Sequence, residues 1–250
     1  MHTIDPQKVL ELKVYGFTII DDVLPAEDIV RMREILVRAE REIGVESLHR
    51  GTAGHIANIV TLDPIFFQCV DHPKVLPYIE AIMGKDLILG SLNSRIVRPG
   101  DGDQTLHSDV PLSLHRYGTE PPIMMNTVWP LVDYTENNGA TRVVPGTHQS
   151  HLKEPPPDFD VKYEIQALVP AGSVIIFNGQ TWHAGGANHS SESRYAMFGH
   201  YRFGQWFRFQ CDPHHEFMPE WFELLTERQK ELMRMTNGLG ERHGADFYER

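Results

Sequence analysis

Apolar positions near the start of the chain recur at helical spacing. Pro6 to Val14 reads as a short helix ended by Gly16, and Phe17 to Ile20 then reads as a strand. Pro25 suits the first turn of a second helix, and Glu27 and Asp28 suit the positive end of its dipole. Ile29, Met32, Leu36, Ala39 and Ile43 continue it at three- and four-residue steps, and Gly44 stops it. A third helix is predicted over Pro73 to Met83, closed by Gly84. Beyond it the period changes. Leu87–Val97, Ile123–Val132, Thr141–Val144, Ile165–Val169, Val174–Phe177 and Arg194–Phe203 read as strands. They are separated by Gly/Pro/Asn clusters such as Pro99-Gly100-Asp101-Gly102 and Glu136-Asn137-Asn138-Gly139. Glu220 to Met235 returns to helical texture, with Trp221, Phe222, Leu225, Leu232 and Met233 apolar. Many short strands with Gly/Pro turns predict a mainly β fold, a sandwich or jelly roll, with flanking helices.

The length of 250 residues fits a single domain over 1–250, with a helical N-terminal flank (1–85), a β core (86–210) and a C-terminal helical flank (211–250). Hydrophobic residues at 41% and charged residues at 23% are globular values. A formal net charge of −11 with no basic stripe argues against nucleic acid as a partner. Two cysteines, Cys69 and Cys211, are too few for a disulfide framework and suggest a reduced, cytoplasmic setting. The N-terminus has no signal-peptide run, and no stretch has the length to span a bilayer, so no membrane partner is expected. The sequence does not set the oligomeric state; a homodimer is compatible with it.

The candidate chemistry lies in His107-Ser108-Asp109 and a distant His183. Two imidazoles and one carboxylate can occupy one face of an octahedral ion, as in the facial triad of non-haem Fe(II) oxygenases. Residues two apart on an extended segment share a face, so His107 and Asp109 can point inward while Ser108 points away. With 14 histidines in the chain, a lone His-x-Asp would more often be a surface pair.

Further residues line up with that reading. Asn138-Gly139-Ala140-Thr141-Arg142-Val143-Val144-Pro145-Gly146-Thr147-His148 resembles the NGxxxVVPGSH stretch of the phytanoyl-CoA dioxygenase family. His107-Ser108-Asp109 stands at the family's HxD position, and Trp182 to Asn188 resembles the segment of the distal histidine. Arg194 follows His183 by eleven positions, as the family's carboxylate-binding arginine does. The resemblance runs from about Arg95 to Phe203. It implies a double-stranded β-helix (jelly-roll, cupin-like) core, with Fe(II), 2-oxoglutarate and O2 as cofactor and co-substrates. His107, Asp109 and His183 would be the catalytic metal ligands, and Arg194 the anchor of the distal carboxylate. Relatives that make fungal terpenoid-type products carry a glutamine and a threonine where this chain has Gln104 and Thr141, which implies that both contact 2-oxoglutarate. Asn126, the one amide in an apolar strand, either lines the pocket near the metal and cofactor or caps a strand end.

Gly185 stands where human-type phytanoyl-CoA enzymes carry a serine, so one contact to 2-oxoglutarate is missing. Asp109 stands where related halogenases have a small residue, which disfavours halogenation. His148 reads as structural, and His115, His151, His189, His214 and His215 lack ligand-like spacing. His200 shares the Arg194 face and is a candidate substrate contact. Arg95, His115, Arg116, Trp206 and Arg208 are candidates for the pocket wall or rim, and Pro111 to Pro122 for a mobile lid. The expected reaction is hydroxylation of an unactivated C–H bond in a small metabolite or natural-product intermediate, with release of succinate and CO2. Two other readings stay open: a jelly-roll hydrolase or isomerase that uses no 2-oxoglutarate, and a non-catalytic metal- or 2-oxoglutarate-binding sensor.

Overall fold

The computed structural model of the protein describes residues 4–42, 46–48, 53–111, 121–204 and 219–235. Helix α1 spans Pro6–Val14. Asp5 caps it by accepting from the Gln7 amide at 2.8 Å, and Pro6 supplies the preset φ of a first turn. Helix α2 spans Ala26–Glu42 and buries Met32, Ile35, Leu36 and Ala39, close to the predicted stripe; Ile43 and Gly44 lie outside the described residues. Helix α3 spans Leu76–Met83 and so starts three residues later than predicted. Pro77 is the reason. A helix begun at Pro73 would put its ring against the carbonyl four residues back, whereas a start at Leu76 leaves it in the first turn.

Ten strands follow one another along the chain: β1 (Phe17–Ile20), β2 (Glu46–Leu48), β3 (Ala53–His55), β4 (Leu87–Val97), β5 (Met124–Pro130), β6 (Thr141–Val143), β7 (Ile165–Gln166), β8 (Val174–Asn178), β9 (His183–Gly185) and β10 (Arg194–Phe203). They form two sheets, with every pairing antiparallel. The larger sheet has the order β1-β8-β5-β10-β4-β3-β2 and the smaller β7-β6-β9. The protein is therefore a mixed α/β structure built on antiparallel sheets. The N-terminal flank is not purely helical, because β1, β2 and β3 all enter the large sheet. The expected C-terminal helix is also divided. A 3-10 turn covers Pro219–Leu224, and helix α4 is confined to Glu227–Leu232. Thr226 and Gln229 form a capping box between them, which begins a new helix where the apolar pattern alone suggested continuity.

Alternation along the strands sorts side chains between two cores. On β10, Tyr195, Met197 and Tyr201 join the helices, while Ala196 and Phe198 face the other way. On β8, Val174 and Ile176 go with the first set, and Ile175 and Phe177 with the second. The first core lies between the large sheet and helices α1, α2 and α3. The second is smaller and gathers Val128, Tyr134, Ala140, Ala167 and Val169 with the inward residues of β8 and β10. The candidate chemistry lies on this second side. Among the described residues, no helix is long and apolar enough to cross a membrane.

Candidate metal centre

His107 and His183 meet through their backbones. His107 N donates to His183 O at 3.0 Å, and His183 N donates to His107 O at 2.9 Å. This isolated antiparallel bridge sets the two side chains beside each other, with ring centroids 4.7 Å apart. Two residues on, Asp109 N donates to Gly179 O at 2.9 Å, which fixes the carboxylate on the same side. Ser108 turns away and is fully buried. Its N–H donates to Lys153 O at 2.8 Å, and Lys153 Nζ donates back to Ser108 O. The segment is thus tied down at each of its three residues.

The donor atoms converge. His107 Nε2 lies 3.7 Å from Asp109 Oδ1, and His183 Nε2 lies 3.4 Å from Asp109 Oδ2. One ligand atom from each residue falls within 4.8 Å of the others. The tautomers follow from the surroundings. His107 Nδ1 is 2.8 Å from Thr105 O, and His183 Nδ1 is 3.0 Å from Thr181 O. A carbonyl only accepts, so both Nδ1 atoms carry a proton, and Nε2 is the nitrogen of each ring that faces inward. Burial alone would raise the Asp109 pKa. The imidazoles of His183, His200 and His107 outweigh burial and hold the acid well below the usual carboxylate range, so it is an anion. Two neutral imidazole nitrogens and one carboxylate oxygen form a donor set that fits a borderline divalent ion such as Fe(II). Phe177 and Phe198 wall the His183 ring at centroid distances of 4.6 and 6.3 Å.

A cavity of about 50 Å³, open to solvent on one side, runs from this cluster to Arg194. Arg194 is the first residue of β10 and is only 4% exposed. Its guanidinium lies over the Tyr134 ring, with Cζ 4.7 Å from the centroid, and Nη1 donates to the Tyr134 hydroxyl. Its Nε is buried without a partner. Among the described residues no carboxylate pairs with Arg194. A buried guanidinium without a counter-charge is costly, so the site is built for an incoming anion.

Gln104 and Thr141 line the same cavity. The Gln104 side chain accepts from Gly185 N at 2.8 Å through Oε1, which leaves its amide N–H groups as donors. A Cβ at position 185 would lie 3.0 Å from that Oε1. The glycine that replaces a serine is therefore the residue that makes room for Gln104. Asn126 is fully buried and does not line the cavity. Its Nδ2 donates to Asp109 Oδ2 at 2.7 Å, and its Oδ1 faces His200 Nδ1 at 2.9 Å. It touches the candidate ligand from behind and caps no strand end.

Arg95 lines the cavity with its guanidinium 5.5 Å from the Phe198 ring centroid. His148 sits under Gly16, 3.2 Å from Lys13 O through Nε2, outside the cluster. His151 and His189 also lie outside it. His115, Arg116, Trp206, Arg208, Cys211, His214, His215 and most of the expected lid, 112–120, are outside the described residues. Sequence reasoning missed Tyr134 and Lys153. Nothing in one dimension marks a tyrosine 60 positions before the arginine it supports.

Comparison with known proteins agrees with this geometry. The family described as Phytanoyl-CoA dioxygenase (PhyH) matches residues 12–196. The chain therefore belongs to the phytanoyl-CoA dioxygenase family, among relatives that are Fe/2-oxoglutarate-dependent oxygenases. An uncharacterized protein of Mycobacterium tuberculosis is 28% identical over 198 residues, which cover 74% of this chain and 71% of that protein. Dioxygenase af480 of Aspergillus fumigatus is 25% identical over 173 residues, 69% of this chain and 53% of its own, so the chain spans about half the length of that fungal relative. Among solved structures, the non-heme alpha ketoglutarate dependent carbocyclase SnoK from nogalamycin biosynthesis superposes with a TM-score of 0.69 at 19% identity, covering 80% of this chain and 84% of that one. That likeness shows a shared fold.

Proposed function

We propose that this protein is an Fe(II)- and 2-oxoglutarate-dependent oxygenase that acts on a small metabolite or natural-product intermediate. Its two sheets would be the halves of a double-stranded β-helix within one domain. The observation that carries the reading is Arg194, a buried guanidinium with no carboxylate partner among the described residues, in the same cavity as the His107, Asp109 and His183 cluster. A hydrolase or isomerase site built on the cluster alone would have no use for it.

In this reading His107 Nε2, His183 Nε2 and Asp109 hold the ion. Arg194 pairs with the distal carboxylate of 2-oxoglutarate, and its guanidinium fork matches that group. Gln104 directs its free amide hydrogens, and Thr141 its hydroxyl, at the same co-substrate. Iron held there would activate O2, which is the oxidant: one oxygen atom would enter succinate as 2-oxoglutarate loses CO2, and the other would be inserted into an unactivated C–H bond of the substrate. The chain itself orients and shields. Phe177 and Phe198 shield the His183 ring, and the carbonyls of Thr105 and Thr181 hold the imidazole planes.

Hydroxylation is the outcome proposed. The carbocyclase SnoK, the epimerase SnoN and the fungal dioxygenases support a role in tailoring small molecules, and the first two indicate that outcomes differ on this scaffold. The test is succinate release from 2-oxoglutarate by the purified protein with a panel of metabolites. The reading requires succinate that depends on Fe(II) and stops when Fe(II) is chelated. Turnover of a substrate with Zn(II) and no 2-oxoglutarate would establish a hydrolase or isomerase. Tight 2-oxoglutarate binding with no succinate under any condition would establish a sensor.

A further inference from the structure

Asp109 has two carboxylate oxygens, and the surrounding side chains treat them differently. Oδ2 accepts from Asn126 Nδ2 at 2.7 Å and also lies 3.4 Å from His183 Nε2, while Oδ1 faces His107 Nε2 at 3.7 Å and accepts from no amide among the described residues. We propose that Asn126, held in orientation by His200, keeps Asp109 a one-oxygen ligand and so preserves the open positions that 2-oxoglutarate and O2 need. The inference rests on the iron site proposed above. It makes Asn126 a positioning residue, since it acts on the metal through Asp109.

The orientation of the amide follows from chemistry. An ionised carboxylate can only accept, so Asn126 must present its NH2 group to Asp109. Its oxygen is then left facing His200 Nδ1, 2.9 Å away, and that nitrogen must donate. Neutral or charged, the His200 ring can meet this demand with a hydrogen on Nδ1. Burial lowers the His200 pKa; Asp109 opposes this, and Arg95 and Arg202 add to it. The result is about 4, a neutral ring near pH 7. The three groups therefore form a chain of donors that runs one way, from His200 through Asn126 to Asp109.

The backbone holds this chain in place. His200 on β10 and Asn126 on β5 are register partners, so their side chains rise from the same face of the sheet. Asn126 is fully buried, and water cannot substitute for its hydrogen bond. Asp109 N is tied to Gly179 O, which fixes the backbone from which the carboxylate projects. What remains free is rotation of the carboxylate about its own axis, and the amide of Asn126 blocks it.

Coordination counting gives the consequence. Two imidazoles and one oxygen leave three of six octahedral positions open. A chelating 2-oxo acid takes two and leaves one for O2. If Asp109 gripped the ion through both oxygens, only two positions would stay open, and the co-substrate would compete with the protein's own ligand. Loss of Asn126 thus gives a signature that general damage would not. Metal affinity is kept or improved while 2-oxoglutarate affinity falls.

The test is an anaerobic titration of wild type, Asn126→Leu and His200→Leu. Fe(II) affinity is read by competition with a coloured chelator. Affinity for 2-oxoglutarate is read from the visible charge-transfer absorption that arises when a 2-oxo acid chelates ferrous iron. For Asn126→Leu we expect a 2-oxoglutarate Kd raised about tenfold or more, with the Fe(II) Kd within about threefold of wild type or tighter. His200→Leu, which frees the amide to turn, should shift 2-oxoglutarate the same way by a smaller factor, and it carries the test if Asn126→Leu does not fold. Equal losses of Fe(II) and 2-oxoglutarate affinity, or an unchanged 2-oxoglutarate Kd, would overturn the inference alone. Wild-type protein that took up no Fe(II) would overturn it together with the proposed function.

Discussion

Replacing Arg194 by methionine separates a binding role from a structural one. The side chain is 4% exposed, its Nε has no partner, and no described carboxylate offsets its charge. Without ligand it is therefore a liability. Replacing even a buried ion pair by apolar side chains is often neutral or stabilising by about 1–4 kcal/mol, and a guanidinium without a carboxylate partner has less attraction to lose. The Tyr134 hydroxyl loses its donor, which costs about 1 kcal/mol. The net is about −1 to +3 kcal/mol, so the ligand-free variant should melt no more than roughly 2–4 °C below wild type and as much as several degrees above it. With 2-oxoglutarate the balance moves toward wild type. At about 100 times Kd, ligand adds about 2.7 kcal/mol to wild type. For a chain of this size that is roughly 5–11 °C in Tm. Stranding the co-substrate's carboxylate costs about 3–5 kcal/mol, or about 10²–10⁴-fold in Kd. At the same concentration the variant would gain no more than about 0.4 kcal/mol, or roughly 1–2 °C. Thermal unfolding with Mn(II) in place of Fe(II), with and without 2-oxoglutarate, reads both effects. A ligand-free Tm more than roughly 4 °C below wild type, with the ligand-induced rise intact, would refute the assignment and make Arg194 a structural residue.

Other substitutions probe the rest of the site. Tyr134→Phe keeps the ring beneath the guanidinium and removes one hydrogen bond, so the 2-oxoglutarate Kd measured by titration should rise about fivefold for a loss of about 1 kcal/mol. Gly185→Ala puts a Cβ 3.0 Å from Gln104 Oε1 and should weaken 2-oxoglutarate binding about tenfold, for a lost hydrogen bond plus steric displacement. Gln104→Ala in that background should cause little further loss; additive losses in a double-mutant cycle would count against the coupling. The pKa of His200 is lowered to about 4, so the unfolded chain binds more protons between pH 6.5 and 4. Its contribution is intact above about pH 6.5 and is lost as pH falls, by roughly 3 kcal/mol at pH 4 and below. His55 shifts in the same direction for the same cause, burial, with Arg95 adding to it. Urea midpoints of the metal-free protein should fall across this window and fall less in His200→Leu; parallel curves would remove His200 from that role.

The parts of the fold that repeat a period were legible in the sequence. The limits of α1, β1, β4 and β10 match their predicted spans, because each is an apolar-rich run that glycine, proline or polar residues bound in the sequence. Strand β9 was not legible. His183–Gly185 is three residues in a glycine-rich run and is a strand only because β6 pairs with it. Strands β2 and β3 are equally short and owe their form to the sheet edge beside β4. In the site, residue type and spacing suggested the triad, and the family resemblance both strengthened that reading and pointed to Arg194. Asn126 did not resolve, since sequence left it between a pocket wall and a strand cap. Its function depends on a register partner 74 residues away and on a carboxylate 17 residues away, neither of which a one-dimensional pattern displays.

The central claim is geometric, and a crystal structure grown anaerobically with Mn(II) and 2-oxoglutarate tests it most directly. The account predicts one anomalous-scattering peak within coordination distance of His107 Nε2, His183 Nε2 and a single oxygen of Asp109, with the distal carboxylate of the co-substrate on the Arg194 guanidinium. A metal bound elsewhere, or Arg194 paired with a carboxylate of the protein itself while 2-oxoglutarate is absent from the cavity, would contradict it.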